Sequence, residues 1–269
     1  MIAGLRAVLV IVIVFVVTLV LLPVQLLAMR LGHPWRQSLP RLWHRIVLPL
    51  MGLRVHVYGQ PLADGPLLLV SNHVSWSDIV VLGSLADVVF IAKAEMRDWP
   101  VFGVLARLQR SVFIKRERRG TTKSQIDDVA QRLACGETVV LFAEGTTSDG
   151  NRVLPFKSSL IGAASVAVEA ATDTVVRIQP VAIAYVRANG VPLGRHHRPI
   201  AAWPGDTELA PHLWDLLCEG AIDVEVCFGA PIPHTGKYDR KALSLRLERD
   251  VRYMNTMMLR GRAVSDEPA

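Results

Sequence analysis

The chain has 269 residues, enough for one substantial domain plus an anchor, or at most two small domains. Its hydrophobic content of 51% exceeds what a soluble enzyme of this size normally carries, and much of the excess lies in the first thirty residues. The net charge of +6 is contained in residues 1–60, which hold Arg6, Arg30, Arg36, Arg41, Arg45 and Arg54 and no Asp, Glu or Lys; such a placement suits anionic lipid headgroups and argues against nucleic acid, which needs a basic face on the folded domain.

From Ala7 to Ala28 the chain is uncharged. As a helix this run is about 33 Å long, enough to cross a hydrocarbon core. A signal peptide would have a shorter apolar core and small residues at a cleavage site, whereas Met29-Arg30-Leu31-Gly32-His33-Pro34 follows here. More arginine follows the run than precedes it, so the remainder is expected in the cytoplasm, at the inner membrane of a bacterium. Residues 37–53 form a second apolar stretch with Arg41, His44 and Arg45, too short and too charged to span. It lies in the interface or packs on the folded domain. The resulting division is a membrane anchor and interfacial helix over 1–54, a folded domain over 55–263 and a polar tail over 264–269. The three cysteines, Cys135, Cys218 and Cys227, are odd in number and form no CxxC pair, so neither a disulfide framework nor a structural zinc site is expected.

Beyond Val55 short β-rich runs alternate with helical ones. Strands are expected at Leu67–Val70, Val88–Ala92, Ser111–Ile114, Thr138–Ala143, Gln179–Tyr185 and Asp223–Phe228. Helices are expected at Asp78–Leu85, Pro100–Leu108, Lys123–Ala134, Ser158–Ala171, Leu209–Cys218 and Arg240–Leu259. The alternation predicts an α/β fold, a mostly parallel sheet flanked by helices and preceded by an N-terminal membrane helix. Nearly continuous apolar strands such as VVLFA fit a sheet covered on both faces.

Four local signals carry chemistry. The first is Ser71-Asn72-His73-Val74-Ser75-Trp76-Ser77-Asp78, between a strand and a helix. With His73 in the loop and Asp78 in the first helical turn, the imidazole can fold back onto the carboxylate. That contact would fix its tautomer and make the other ring nitrogen a base. Ser75 or Ser77 is placed to cap the helix. The second is Phe142-Ala143-Glu144-Gly145-Thr146-Thr147-Ser148-Asp149-Gly150, where a strand runs into a carboxylate, a flexible backbone and hydroxyls. The third is a strand ending in Lys115 and Arg116, and the fourth is Pro155-Phe156-Lys157. Taken singly, each also fits an ordinary turn or a solvated charge.

In this order and spacing the signals resemble the glycerolipid acyltransferase family, whose best-known members acylate lysophosphatidate. That family's Asn-His, four residues, Asp motif is matched by Asn72, His73 and Asp78. Its strand ending in arginine is matched by Arg116. Its Phe-Pro-Glu-Gly-Thr-Arg-Ser motif is matched by Phe142, Glu144, Gly145, Thr146 and Ser148, and its proline-containing apolar strand by Pro180. The resemblance covers about residues 60–190. It implies that His73 is the general base and Asp78 its orienting partner, and that Arg116, Glu144, Gly145, Thr146 and Lys157 bind the acceptor headgroup. It also implies an acyl thioester donor on acyl carrier protein or coenzyme A, a lysolipid acceptor, no metal and no further cofactor. Thr147 departs from the family's arginine, which is suited to phosphate. Together with EGTTSDG and LWHRIVLPLMGLRVHVYG this resembles the branch that acylates lyso-ornithine lipid, with lysophosphatidate as the alternative acceptor. The family also offers an arrangement in which the N-terminal helices dip into one leaflet without crossing. A serine esterase would need a Gly-x-Ser-x-Gly elbow, which the sequence lacks. A non-catalytic adaptor would have no use for the His73–Asp78 pair.

Overall fold

The computed structural model describes residues 2–62, 65–114, 123–170, 176–205, 207–233 and 239–262. Helices α1 (Ile2–Arg30) and α2 (Trp35–Leu50) come first. They are followed by β1 (Leu53–Tyr58), β2 (Leu67–Ser71), α3 (Asp78–Leu85), β3 (Val88–Lys93), α4 (Phe102–Leu108), β4 (Val112–Ile114), α5 (Lys123–Ala134) and β5 (Thr138–Phe142). The chain ends with α6 (Ser158–Ala170), β6 (Arg177–Ala188), β7 (Val191–Pro192), α7 (Leu209–Glu219), β8 (Ile222–Phe228), β9 (Ile232–Pro233) and α8 (Arg240–Leu259).

The strands form one sheet in the order β1-β8-β6-β2-β5-β3-β4. Neighbours on this path are parallel except β6 and β8, and the short β7 and β9 also pair antiparallel with β6. Side chains alternate across the central strands. Leu68, Val70, Val139 and Leu141 enter a core with α5, α6 and α8, while Leu67, Leu69, Val140 and Phe142 enter a second core with α2, α3 and α7. Burial on both faces explains why these strands are almost uninterrupted apolar runs. β1 escapes the sequence pattern because it is an edge strand with Arg54, His56 and Tyr58 turned to solvent. In the register of the central pair, Ser71 at the end of β2 lies level with Phe142 at the end of β5. The two motif loops therefore leave the sheet side by side.

α2 packs on α3 through His44 and Val47. The helices come so close at Gly83 that a Cβ there would lie 2.4 Å from the His44 ring. His44 is buried, and burial lowers its pKa to about 4, so the ring is neutral and donates from Nε2 to Gln109 Oε1 at 2.8 Å. Arg41 closes the end of α3 by donating to the Leu85 carbonyl at 2.8 Å.

α1 is long and apolar enough to cross a membrane. It touches the domain near both of its ends. Near the start, Arg6 donates to the Leu217 carbonyl at the end of α7. Near the end, Gln25 donates to the Leu108 carbonyl at 2.8 Å. Between them Trp43 donates to Thr18 at 2.9 Å. Ala7, Val10, Gln25 and Ala28 are buried in a helical stripe, while Leu5, Leu9, Val12, Phe15, Leu19, Val20, Leu26 and Leu27 are exposed. The nineteen positions from Arg6 to Gln25 span about 28 Å along a helix, close to the thickness of a hydrocarbon core. A crossing helix would carry Arg6 and the end of α7 to the far side. A helix lying in one leaflet keeps the whole domain on one side and turns its apolar outer face to lipid. In sealed vesicles a cysteine introduced by Ala3→Cys is thus expected to react with a membrane-impermeant maleimide from the same side as the exposed Cys135. Labelling of the two from opposite sides would show that α1 spans.

Candidate active site

The chain leaves β2 at Ser71, and Asn72 extends the ladder with its side chain. Its amide donates to the Ile183 carbonyl and accepts from the Ile183 N–H, both at 2.9 Å. This anchors the start of the loop to β6 while the backbone turns away. Six residues on, the chain brings Asp78 back beneath it. Asp78 is fully buried, and its Oδ2 accepts from His73 Nδ1 at 2.8 Å, from the Val74 N–H at 2.7 Å and from the Ser75 N–H at 3.0 Å. Oδ1 accepts from the Tyr185 hydroxyl at 2.8 Å. Donors from the protein thus replace the water that the carboxylate has lost in an apolar interior. Of the two expected serine caps, Ser75 Oγ accepts from the Ser77 N–H at 3.5 Å, while the one from Ser77 does not form. Ser77 makes no capping bond and turns its hydroxyl to Tyr185 at 2.6 Å, since Asp78 itself takes the free N–H groups of the loop.

His73 has a side chain 15% exposed, so the ring has an open edge beside a buried partner. Donation from Nδ1 to the carboxylate leaves the Nε2 lone pair available as a base. The ring lies flat on Phe142, with centroids 3.9 Å apart and planes 12° from parallel. Phe142 is stacked in turn on Phe90 of β3 at 6.1 Å. The His73 carbonyl accepts from the Ser148 N–H at 2.8 Å, which ties the histidine loop to the loop after β5. The Val74 carbonyl accepts from Trp203, and Trp76 donates to His212 of α7 at 3.0 Å.

Glu144 follows β5 and is 1% exposed. The backbone N–H groups of Leu154 and His73 approach its carboxyl without closing a well-formed hydrogen bond. Burial, with smaller contributions from Asp78 and Glu248, pushes its pKa up to about 9 against the opposing pull of those N–H groups. Gly145 has φ +71°, a left-handed conformation that glycine adopts without steric penalty, and the Lys157 side chain lies across it. Thr146 is exposed and Thr147 is half-buried. Asp149 is exposed, with its oxygens accepting from the Asn151 N–H and side-chain amide at 3.0 and 3.1 Å. Beneath this loop the buried Arg198 donates to Asn151 Oδ1 at 2.9 Å and to the Leu193 carbonyl at 2.6 Å.

The structure therefore brings His73, Asp78, Glu144, Gly145, Thr146 and Lys157 to adjoining loops at the ends of β2 and β5. Arg116 lies outside the described residues. Sequence reasoning did not single out Tyr185, Phe90, Asn72's bridging bonds or Arg198. Tyr185 shares β6 with Arg177, Gln179 and Arg187, so its polarity does not set it apart in the sequence.

The chain matches the family model described as Acyltransferase over residues 54–184. It is 52% identical over 266 residues to the lyso-ornithine lipid O-acyltransferase of Brucella abortus (strain 2308), a match covering 99% of this chain and 100% of that one. It is 53% identical over 256 residues to the lyso-ornithine lipid O-acyltransferase of Rhizobium meliloti (strain 1021), covering 94% of this chain and 88% of that one. Among solved structures, the 1-acyl-sn-glycerophosphate (LPA) acyltransferase PlsC from Thermotoga maritima shares the fold, with TM-score 0.63 and 21% identity over 98% of this chain and 100% of that chain.

The high proton affinity of Glu144 has a consequence for stability. Its folded-state pKa of about 9 lies above the ordinary value of 4.5, so the folded protein holds this proton where the unfolded chain has lost it. The stabilisation from the neutral carboxyl is then complete below pH 4.5 and is lost as pH rises toward 9. Glu144→Gln keeps the shape and cannot ionise. In detergent its Tm should rise steadily relative to the unaltered protein between those two pH values. Parallel curves would mean that Glu144 is already ionised in the resting protein.

Proposed function

The chain belongs to the acyltransferase family, and from that premise we propose that it transfers a fatty acyl group from a thioester of acyl carrier protein or coenzyme A to the hydroxyl of lyso-ornithine lipid. The chain is an O-acyltransferase associated with a membrane, and its substrates are a lysolipid acceptor and an acyl donor. The observation that carries the acceptor is identity above one half, along nearly the whole chain, with a lyso-ornithine lipid O-acyltransferase. The observation that carries the chemistry is the 2.8 Å contact between His73 and the buried Asp78.

In this mechanism His73 Nε2 takes the proton of the acceptor hydroxyl as the oxygen attacks the thioester carbonyl. Asp78 stabilises the imidazolium that forms, and its burial strengthens that attraction. The tetrahedral intermediate collapses by breaking the C–S bond, and the imidazolium returns its proton to the departing thiolate. The C–O bond formed is the new ester. No metal and no further cofactor takes part. Arg116, Gly145, Thr146 and Lys157 hold the headgroup, with Glu144 buried beneath their loop. The ornithine carboxylate meets Arg116 and the amine meets Asp149 at the rim. Thr147, standing where a phosphate-binding arginine is usual in the family, fits an acceptor without phosphate. The domain faces the cytoplasm at the bacterial inner membrane, a reading supported by the arginines around the N-terminal helices, which suit the anionic cytoplasmic leaflet, and by three free cysteines.

His73→Ala is expected to reduce acyl transfer by about 10²-fold or more while the protein still folds and reaches the membrane. Activity within about tenfold of the unaltered enzyme would remove His73 as the base. The acceptor is tested by offering lyso-ornithine lipid and lysophosphatidate with one thioester donor. An efficiency about tenfold or more in favour of lysophosphatidate would overturn the aminolipid reading. If the aminolipid is preferred, Thr147→Arg should move the ratio toward lysophosphatidate.

A further inference from the structure

Tyr185 lies on β6, far along the chain from the His73 loop, yet it is 1% exposed and its hydroxyl reaches the catalytic carboxylate. A carboxylate only accepts, so the phenol must donate to Asp78 Oδ1. Its oxygen is then left to accept, and Ser77, 2.6 Å away, must be the donor to it. The proton order is therefore one-way, from Ser77 to Tyr185 to Asp78. The three bonds to Oδ2 come from His73 and its own loop, whereas Tyr185 is the hydrogen-bond donor recorded for Oδ1 among the described residues. β6 is held in place for this by Asn72, which takes both backbone groups of Ile183, and by Asn255 of α8, which donates to the same carbonyl at 3.0 Å. Burial keeps the phenol's pKa well above its ordinary value, so it remains a donor.

Resting on the reading of His73 as general base, we propose that Tyr185 is a positioning residue for the His73–Asp78 pair, with Ser77 fixing its hydroxyl in the donor orientation. Without that hydroxyl, Oδ1 is a buried carboxyl oxygen with no donor among the described residues. The carboxylate then gains proton affinity and can turn about its own bond. Its pull on the imidazole N–H grows, which holds a proton on His73 more tightly and raises the pH at which the base becomes free. Among the described residues, the titratable groups facing the pair are Glu144 from the loop after β5 and, behind Trp76, His212 of α7. Glu248 of α8 acts through Glu144, and α3 carries no charge besides Asp78.

Tyr185→Phe removes one oxygen and leaves the ring that fills the core. Its kcat should fall by about tenfold, with the KM for the acceptor changed by less than about twofold. The acid limb of its kcat/KM profile should move to higher pH. Ser77→Ala should move the same limb in the same direction by less, and it serves as the reporter should the phenylalanine variant fail to fold. A purely structural Tyr185 would lower Tm and leave the pH profile superimposed on that of the unaltered enzyme, and that result would overturn the assignment. So would a loss confined to KM. His73→Ala measured alongside separates the two readings. If it stays active, the base assignment itself fails; if it is inactive while the Tyr185→Phe profile is unmoved, only the role of Tyr185 fails.

Discussion

The burial of one negative charge organises this molecule. Asp78 has no exposed surface, and a carboxylate in such a place is tolerable only if protein donors replace the water it has lost. Its donors come from three sources: the backbone of its own turn, the imidazole that it orients, and a phenol on a strand it does not adjoin in sequence. The loop from His73 to Ser77 therefore has little conformational freedom. The N–H groups of Val74 and Ser75 must converge on one oxygen, and this closes the turn without a cap from Ser77.

The surrounding sheet meets that requirement through register. Because Ser71 and Phe142 end level on adjacent parallel strands, the ring of Phe142 lies flat against the imidazole that the neighbouring strand delivers. Because β6 runs beside β2 on its other side, Asn72 can grip Ile183, and the tyrosine two positions on reaches the same layer as the catalytic carboxylate. Glu144 presents the converse case. It has the same degree of burial and no well-formed donor set, so it holds its proton instead of its charge. Two equally buried carboxyl groups near one histidine thus have very different donor sets.

The same site is mechanically continuous with the apolar helix. Trp76 of the catalytic loop bonds His212 of α7, and the end of α7 accepts from Arg6 of α1. The inward stripe of α1 is small or polar where it meets the domain, and its outward face is aliphatic and aromatic. Small inner residues allow close docking, while the outer face provides the apolar surface that a membrane-associated enzyme presents to lipid.

The sequence by itself determined the features whose cause is local. Strands buried on both faces appear as VVLFA or LLLV, helices as periodic runs, and the His73–Asp78 pair as a loop residue five positions from a first-turn carboxylate. These follow from backbone periodicity and from bonds made within a few residues. Tertiary structure alone decided the antiparallel β6–β8 pairing, the edge strand β1, the docking of α1 along the domain and the role of Tyr185. An α1 that is apolar on every side gives no periodic sign of which face will be covered. Tyr185 lies 107 residues from Asp78, and only the register of β6 against β2 brings its hydroxyl to that oxygen. Such contacts depend on how separate elements align in space, a relation that the residue pattern within any one element does not contain.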